Sequence, residues 1–384
     1  MSRIPQTFID ELLTRIDIVD IVDASVPLKK KGNNYSACCP FHTEKTPSFT
    51  VSQKKQFYYC FGCGASGNAI SFLIEHDRFN FVEAVKALAQ RVGMEVPLQQ
   101  GNPEDNQQRK TLYDAMTKAN DYYQHQLRHH EAAEAVKDYL KQRGLTGKIA
   151  KQFAVGYAPD GWNNISNHLK DFDEQQLLDC GLLTKNDKGK IYDRFRNRIM
   201  FPIRDRQGRV IGFGGRVLDD SNPKYLNSPE TAIFHKGSEL YGMYEALQSN
   251  RNLEQLIVVE GYMDVIALVQ SDITNVVATL GTATTKQNAE KLFRQAQNIV
   301  FCFDGDKAGR TAAWRALENI LPILEDEISI SFMFLSEGED PDSMVREQGK
   351  SGFVDALEQA TPLSSFLLHN LREQTDIDTL DGRS

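Results

Sequence analysis

Residues 255–270 read QLIVVEGYMDVIALVQ: an apolar run from Leu256 to Val259, an acidic stop at Glu260, a turn at Gly261 and an apolar helical stretch. The same phrase returns three times downstream. NVVATL (275–280) precedes TKQNAEKLFRQ, NIVFCFDGD (298–306) precedes KAGRTAAWRALENI, and ISISFMFL (328–335) precedes a short helix after Asp340. Continuous apolar strands alternating with helices predict a parallel sheet covered on both faces. Ligands of such sheets bind outside the carboxyl ends of the strands, and here that edge is acidic. Glu260 ends one strand, Asp304 and Asp306 end another, and Asp340 and Asp342 follow a third, with Asp264 one helical turn beyond Glu260. Like charges gathered at one edge call for a cation, and carboxylates without thiol or imidazole favour Mg²⁺ or Mn²⁺. The simpler reading is that each carboxylate caps the helix that follows it.

Upstream, the charge reverses. From Lys185 to Lys236 there are twelve Lys or Arg against six Asp or Glu, whereas Leu321 to Ser384 holds fourteen acids against four bases. In RFRNRIMFPIRDRQGRVIGFGGR, Arg194, Arg196 and Arg198 alternate and are predicted to share one face of a strand, with Arg204, Arg206, Arg209, Arg216, Lys224, Tyr225 and Lys236 behind them. A row of guanidinium groups suits phosphate oxygens, which supply affinity without sequence preference. Gly212, Gly214 and Gly215 form a weak match to a dinucleotide loop, because no strand-to-helix crossover follows.

The first hundred residues hold a different signal. Cys39, His42, Cys60 and Cys63 stand as C-x2-H-x17-C-x2-C, the spacing of two knuckles around one tetrahedral, structural Zn²⁺. Cys38 is the less favoured alternative to Cys39. Helical patterns flank this ribbon at about Pro5 to Val22, Asn68 to Glu75 and Phe81 to Arg91. His125, His129 and His130 match no metal spacing and are read as surface.

The chain has 384 residues, a net charge of −8 and 41% apolar residues, which is globular composition. It lacks a run long enough to span a bilayer and any signal-peptide layout, and its thiols are spaced for metal, so a cytoplasmic protein is expected. The fold class is multi-domain α/β: a zinc-ribbon domain (1–97), a polar linker (98–110), a basic α+β subdomain (111–239), a parallel α/β metal-binding subdomain (240–343), a helical subdomain (344–375) and the start of a further linker (376–384).

In combination these motifs resemble the bacterial replicative primases of the DnaG family. CPFH and CFGC resemble their zinc-binding domain; RFRNRIMFPIRD, IGFGGR and PKYLNSPET resemble the basic strands of their RNA polymerase core; VVEGYMD, FDGD and EDPD resemble their Toprim motifs. The resemblance implies a nucleotidyltransferase that makes short RNA primers from ribonucleoside triphosphates on a single-stranded DNA template. It implies Glu260, Asp304 and Asp306 as catalytic Mg²⁺ ligands, with Asp264, Asp340 and Asp342 in support. It also implies that Arg143, Arg194, Arg196, Arg198, Arg216, Lys224, Tyr225 and Lys236 meet template, primer or nucleotide. Lys29 to Lys31, Lys54 and Lys55, with exposed ribbon aromatics, would hold template bases. The family's C-terminal domain, which binds the replicative helicase, has no counterpart before Ser384, so a shortened chain is expected and helicase binding only for a longer protein. A Toprim nuclease or topoisomerase and a non-catalytic single-strand binder are the competing readings.

Overall fold

The computed structural model describes residues 4–97, 103–219, 221–250, 253–281 and 283–374, arranged as two compact units that divide after Gln107. In the first unit, α1 (Gln6–Arg15) and α2 (Ile18–Asp23) precede the strands β1 (Lys29–Lys31), β2 (Asn34–Ala37), β3 (Phe49–Ser52), β4 (Phe57–Cys60) and β5 (Ser66–Gly67). Each strand pairs antiparallel with the next. The sequence suggests one lead-in helix; the chain instead breaks at Ile16, and Asp17 starts a second helix by accepting a hydrogen bond from Val19 N–H. Helices α3 (Ala69–Glu75) and α4 (Phe81–Arg91) complete the unit, α4 being fixed by a capping box between Asn80 and Glu83. Leu12, Phe49, Tyr58, Phe72 and Leu88 form a core that is nearly solvent-free.

The linker expected at 98–110 falls partly on residues 98–102, outside the described residues, as does the whole of 376–384. Its remainder is helical: α5 runs from Pro103 to His129. Gln107 to Lys110 are good helix formers that need no core, so polarity alone does not separate them from a linker.

In the second unit, α5 is followed by α6 (Ala133–Gln142), α7 (Gly147–Gln152), β6 (Gly156–Ala158), α8 (Asn164–His168), α9 (Glu174–Asp179) and a hairpin of β7 (Leu183–Lys185) with β8 (Ile191–Asp193). Then come β9 (Arg198–Arg204), β10 (Val210–Val217) and β11 (Tyr225–Asn227), which with β6 form an antiparallel sheet of order β11-β10-β9-β6. Gly212, Gly214 and Gly215 lie inside β10 and belong to no phosphate loop.

Beyond α10 (Met243–Ser249) the strand-helix phrase folds as read: β12 (Gln255–Val259), α11 (Tyr262–Gln270), β13 (Val276–Ala278), α12 (Lys286–Phe293), β14 (Asn298–Phe303), α13 (Lys307–Ile320) and β15 (Ser329–Phe334). These four strands are parallel in the order β13-β12-β14-β15. Helix α14 (Pro341–Glu358), kinked at Gly349, leads to β16 (Thr361–Pro362), antiparallel to β15, and then α15 (Leu363–Gln374). Because β13 lies on one side of β12 and β14 on the other, the winding direction reverses between β12 and β14, and the crevice opens there. The two sheets share one core, since Phe201 of β9 stacks on Tyr262 of α11 with ring centroids 5.4 Å apart.

Candidate metal centres and nucleic-acid interface

Cys39, His42, Cys60 and Cys63 converge with their ligand atoms all within 4.8 Å of one another; among the described residues no other Cys, His, Asp or Glu set is drawn so close. The Cys39 and Cys63 sulfurs lie 3.8 Å apart and Cys60 Sγ lies 3.7 Å from His42 Nδ1. A tetrahedron with Zn–S bonds of about 2.3 Å has edges of about 3.8 Å, so this S₃N set fits zinc in size and in chemistry. Backbone N–H groups of Phe41 and Gly62 point at the Cys39 and Cys60 sulfurs, as thiolates require. Of the two adjacent thiols, Cys39 is buried in the set and Cys38 is exposed outside it.

The acidic edge is assembled by the parallel sheet. Glu260 follows β12, Asp304 follows β14, and the Asp304 backbone N–H donates to the Glu260 carboxylate. Burial raises Glu260 above the ordinary carboxylate range, and the charges of Asp304 and Asp306 raise it further. Asp304 is raised by burial and then by Asp340 and Asp306. Asp264, in the first turn of α11, is pushed up to about 8, first by burial and then by Asp340, Asp304 and Asp342. Asp342 is raised by burial against the opposing pull of Arg346, whose Nη2 lies 2.9 Å from Oδ2; the other oxygen, Oδ1, is buried with no hydrogen-bond partner. Helix capping explains part of two residues. Asp306 accepts from Gly309 N–H at the start of α13, and Asp340 accepts from Ser343 N–H at the start of α14, each at 2.7 Å. Each cap engages one carboxylate oxygen, Oδ1.

The basic run departs from its expected form. Of Arg194, Arg196 and Arg198, only Arg198 lies in a strand: residues 194–197 form the connection from β8 to β9, and Asn197, at φ 47°, breaks the alternation. The three guanidinium groups therefore do not share a face. Arg194 donates from Nε and Nη2 to the Asn227 carbonyl, and buried Arg198 donates to the Gly215 carbonyl, so both spend donors on backbone. Half-buried Arg196 likewise donates to a backbone carbonyl, that of Asp193, and packs over the rings of Trp162 and Tyr192, at 4.5 and 4.9 Å. A second basic group lines a cavity of about 340 Å³ formed by Tyr139, Arg143, Arg216, Asp219, Asn222 and Lys224. Arg216 is held from both sides, donating through Nε to the Tyr139 hydroxyl at 3.0 Å and through Nη1 to the Tyr225 hydroxyl. Arg143 and Arg216 both act electrostatically on Asp342, so this cavity borders the acidic edge. Lys236 contributes its backbone N–H to Glu230, closing the loop that follows β11.

Three family profiles cover this arrangement in order: a CHC2 zinc finger over residues 4–104, the N-terminal domain of the DNA primase catalytic core over 122–247, and a Toprim-like domain over 257–345. The DNA primase of Escherichia coli K12 is 54% identical over 391 residues, covering 100% of this chain and 67% of that protein. The chain belongs to the DnaG family of primases. The DNA primase of Pseudomonas aeruginosa is 55% identical over 99% of this chain, which spans 59% of that relative's length. A DnaG primase catalytic domain solved with single-stranded DNA superposes with a TM-score of 0.69 at 53% identity, over 72% of this chain and 90% of that one.

Against this family background, three features escaped the sequence reading. Trp162, 53% exposed, offers a ring face beside Arg196 and Lys190; an isolated Trp in a turn-rich stretch, PDGWNN, was the available signal. Tyr139 lies one helical turn before Arg143, a spacing visible on α6, but its bond to Arg216 joins residues far apart in the chain. Glu44 and Ser48 lie inside the zinc pattern yet match no ligand spacing.

Proposed function

We propose that this chain synthesises RNA primers on single-stranded DNA by nucleotidyl transfer: a 3′-hydroxyl attacks the α-phosphate of a ribonucleoside triphosphate, and pyrophosphate leaves. The observation that carries this reading is the juxtaposition of an oxygen-only acidic crevice with a cavity lined by Arg143, Arg216 and Lys224. The crevice residues fit Mg²⁺ or Mn²⁺, because Asp264 and Asp304 are raised by burial and then by neighbouring carboxylates, and Oδ1 of Asp342 is buried without a hydrogen-bond partner. Glu260, Asp304 and Asp306 would hold the ions, with Asp264, Asp340 and Asp342 supporting them or holding a further one. When bound, such ions supply charge neutralisation for the attacking and leaving oxygens of an in-line displacement.

The chain's own residues then position the reactants. Arg143, Arg216 and Lys224 meet phosphate, the fork of Arg216 being oriented by the Tyr139 and Tyr225 hydroxyls. Trp162 with Arg196 offers a stacking surface for a template base, which tolerates any sequence, and Arg194 and Arg198 stabilise the loops that carry these contacts. Single-stranded DNA, ribonucleoside triphosphates and the RNA primer are thus the proposed partners. Residues 1–97, with one structural Zn²⁺, are the proposed template-contacting module, through Lys29 to Lys31, Lys54, Lys55 and the exposed Phe57, Tyr59 and Phe61.

Primer synthesis on defined single-stranded templates tests the reading. Asp304→Ala and Asp306→Ala chains are each expected to lose primer synthesis by about 100-fold or more, since metal-assisted charge stabilisation is worth several kcal/mol. Undiminished synthesis by either variant would remove that residue from the reaction. Cleavage of DNA without added nucleotides would favour a Toprim nuclease instead.

A further inference from the structure

Between the two zinc knuckles lies a carboxylate that is not a ligand. Glu44 follows His42 by two residues, and its two oxygens collect four polar groups. Oε1 accepts from Cys39 N–H at 2.7 Å and from Ser48 N–H at 3.0 Å. Oε2 accepts from the Ser48 hydroxyl at 2.5 Å and lies 3.3 Å from His42 Nε2. Ser48 Oγ in turn lies 3.2 Å from Cys60 Sγ. One side chain thereby reaches the backbone of Cys39, the ring of His42 and both N–H and hydroxyl of Ser48, whose carbonyl accepts from Phe61 N–H in the opposite knuckle at 3.0 Å.

Gly62 shows how closely this arrangement is built. A Cβ there would stand 2.6 Å from His42 Nε2 and 2.9 Å from Ser48 Oγ, so only bare backbone can close over the imidazole edge that faces Glu44. The other ring nitrogen, Nδ1, is the one turned toward Cys60 Sγ.

We propose that Glu44 is the positioning residue of the zinc site, fixing His42 as the Nε2–H tautomer so that Nδ1 is the metal ligand, and tying both knuckles into one receptor. A metal-bound imidazole that donates its other N–H to a carboxylate is held in orientation and made more basic. A carboxylate suits this place because two of its neighbours are backbone N–H donors and the other two, the Ser48 hydroxyl and the His42 ring nitrogen, can each carry a proton toward it. Glutamine would turn an NH₂ toward one of those donors and lose the bond.

The 384-residue chain, loaded with Zn²⁺ and labelled with ¹⁵N-histidine, provides the first test. His42 is expected to show a metal-bound Nδ1 and a protonated Nε2; a zinc-bound Nε2 would overturn the proposal, and this readout needs no variant to fold. Zn²⁺ affinity, measured by competition with a chelator, provides the second. Glu44→Gln is expected to weaken binding by roughly 10- to 100-fold and to shift the Nε2 proton resonance. Ser48→Ala, which keeps the contact between Glu44 and His42, is expected to lose less and to retain that resonance. Wild-type affinity in Glu44→Gln, or an equal loss in Ser48→Ala, would overturn the assignment to the carboxylate. Neither readout depends on primer synthesis, so the proposed activity stands or falls separately.

Discussion

Asp264 shows how one side chain feels the whole acidic edge. Half-buried and under the charges of Asp340, Asp304 and Asp342, it is pushed up to about 8, whereas an exposed aspartate ionises at about 3.9. Between those two values the folded, metal-free protein binds a proton that the unfolded chain has released, so stability falls as pH rises across that window. Asp264→Asn removes this titration. The metal-free variant is expected to lose less Tm than the parent between about pH 5 and about pH 8; parallel pH curves would show that Asp264 is not the group responsible. At the neighbouring cavity, Tyr139→Phe deletes one hydrogen bond to a guanidinium. Such bonds contribute about 1.5 kcal/mol or more, so KM for ribonucleoside triphosphates is expected to rise by roughly 10-fold with kcat changed less. An unchanged KM would mean that Arg216 keeps its orientation without Tyr139.

Elements decide which of these residues meet. The alternation of apolar strands and helices after Leu253 made the parallel sheet legible, because strands buried on both faces need no polar positions. Strand ends follow from the same pattern, which puts Glu260, Asp304 and Asp340 at one edge of the sheet. The basic run misled for a local reason: alternation at 194, 196 and 198 implies a shared face only if the backbone is extended throughout, and the left-handed Asn197 interrupts it. Gly305 carries an element-scale constraint of its own. A Cβ there would meet the Leu335 carbonyl and lie 2.7 Å from the Ser336 carbonyl carbon, so the turn bearing Asp304 and Asp306 can lie against the segment leading to Asp340 only without a side chain. Gly305→Ala is expected to cost about 1–3 kcal/mol in a denaturant titration and to reduce primer synthesis. A variant with parental stability and activity would mean that the two segments separate without penalty.

At the scale of the whole molecule, each unit has a core of its own, and the first also has its zinc set. Removing Zn²⁺ is therefore expected to melt residues 4–97 while the sheets of the second unit persist. Hydrogen exchange after chelation checks this, with protection lost in β2 to β4 and kept in β12, β14 and β15; uniform loss would show one cooperative unit. The sequence by itself determined the zinc ligand set, the parallel sheet and its acidic edge, because each is written in short-range spacing or periodicity. Tertiary structure alone decided that Tyr139 holds Arg216, that Arg143 and Arg216 lie beside Asp342, that Arg196 flanks Trp162, and that Glu44 gathers Cys39, Ser48 and His42 around one carboxylate. These contacts depend on how separate elements pack and on how each backbone donor and acceptor is satisfied, and no spacing along the chain encodes either.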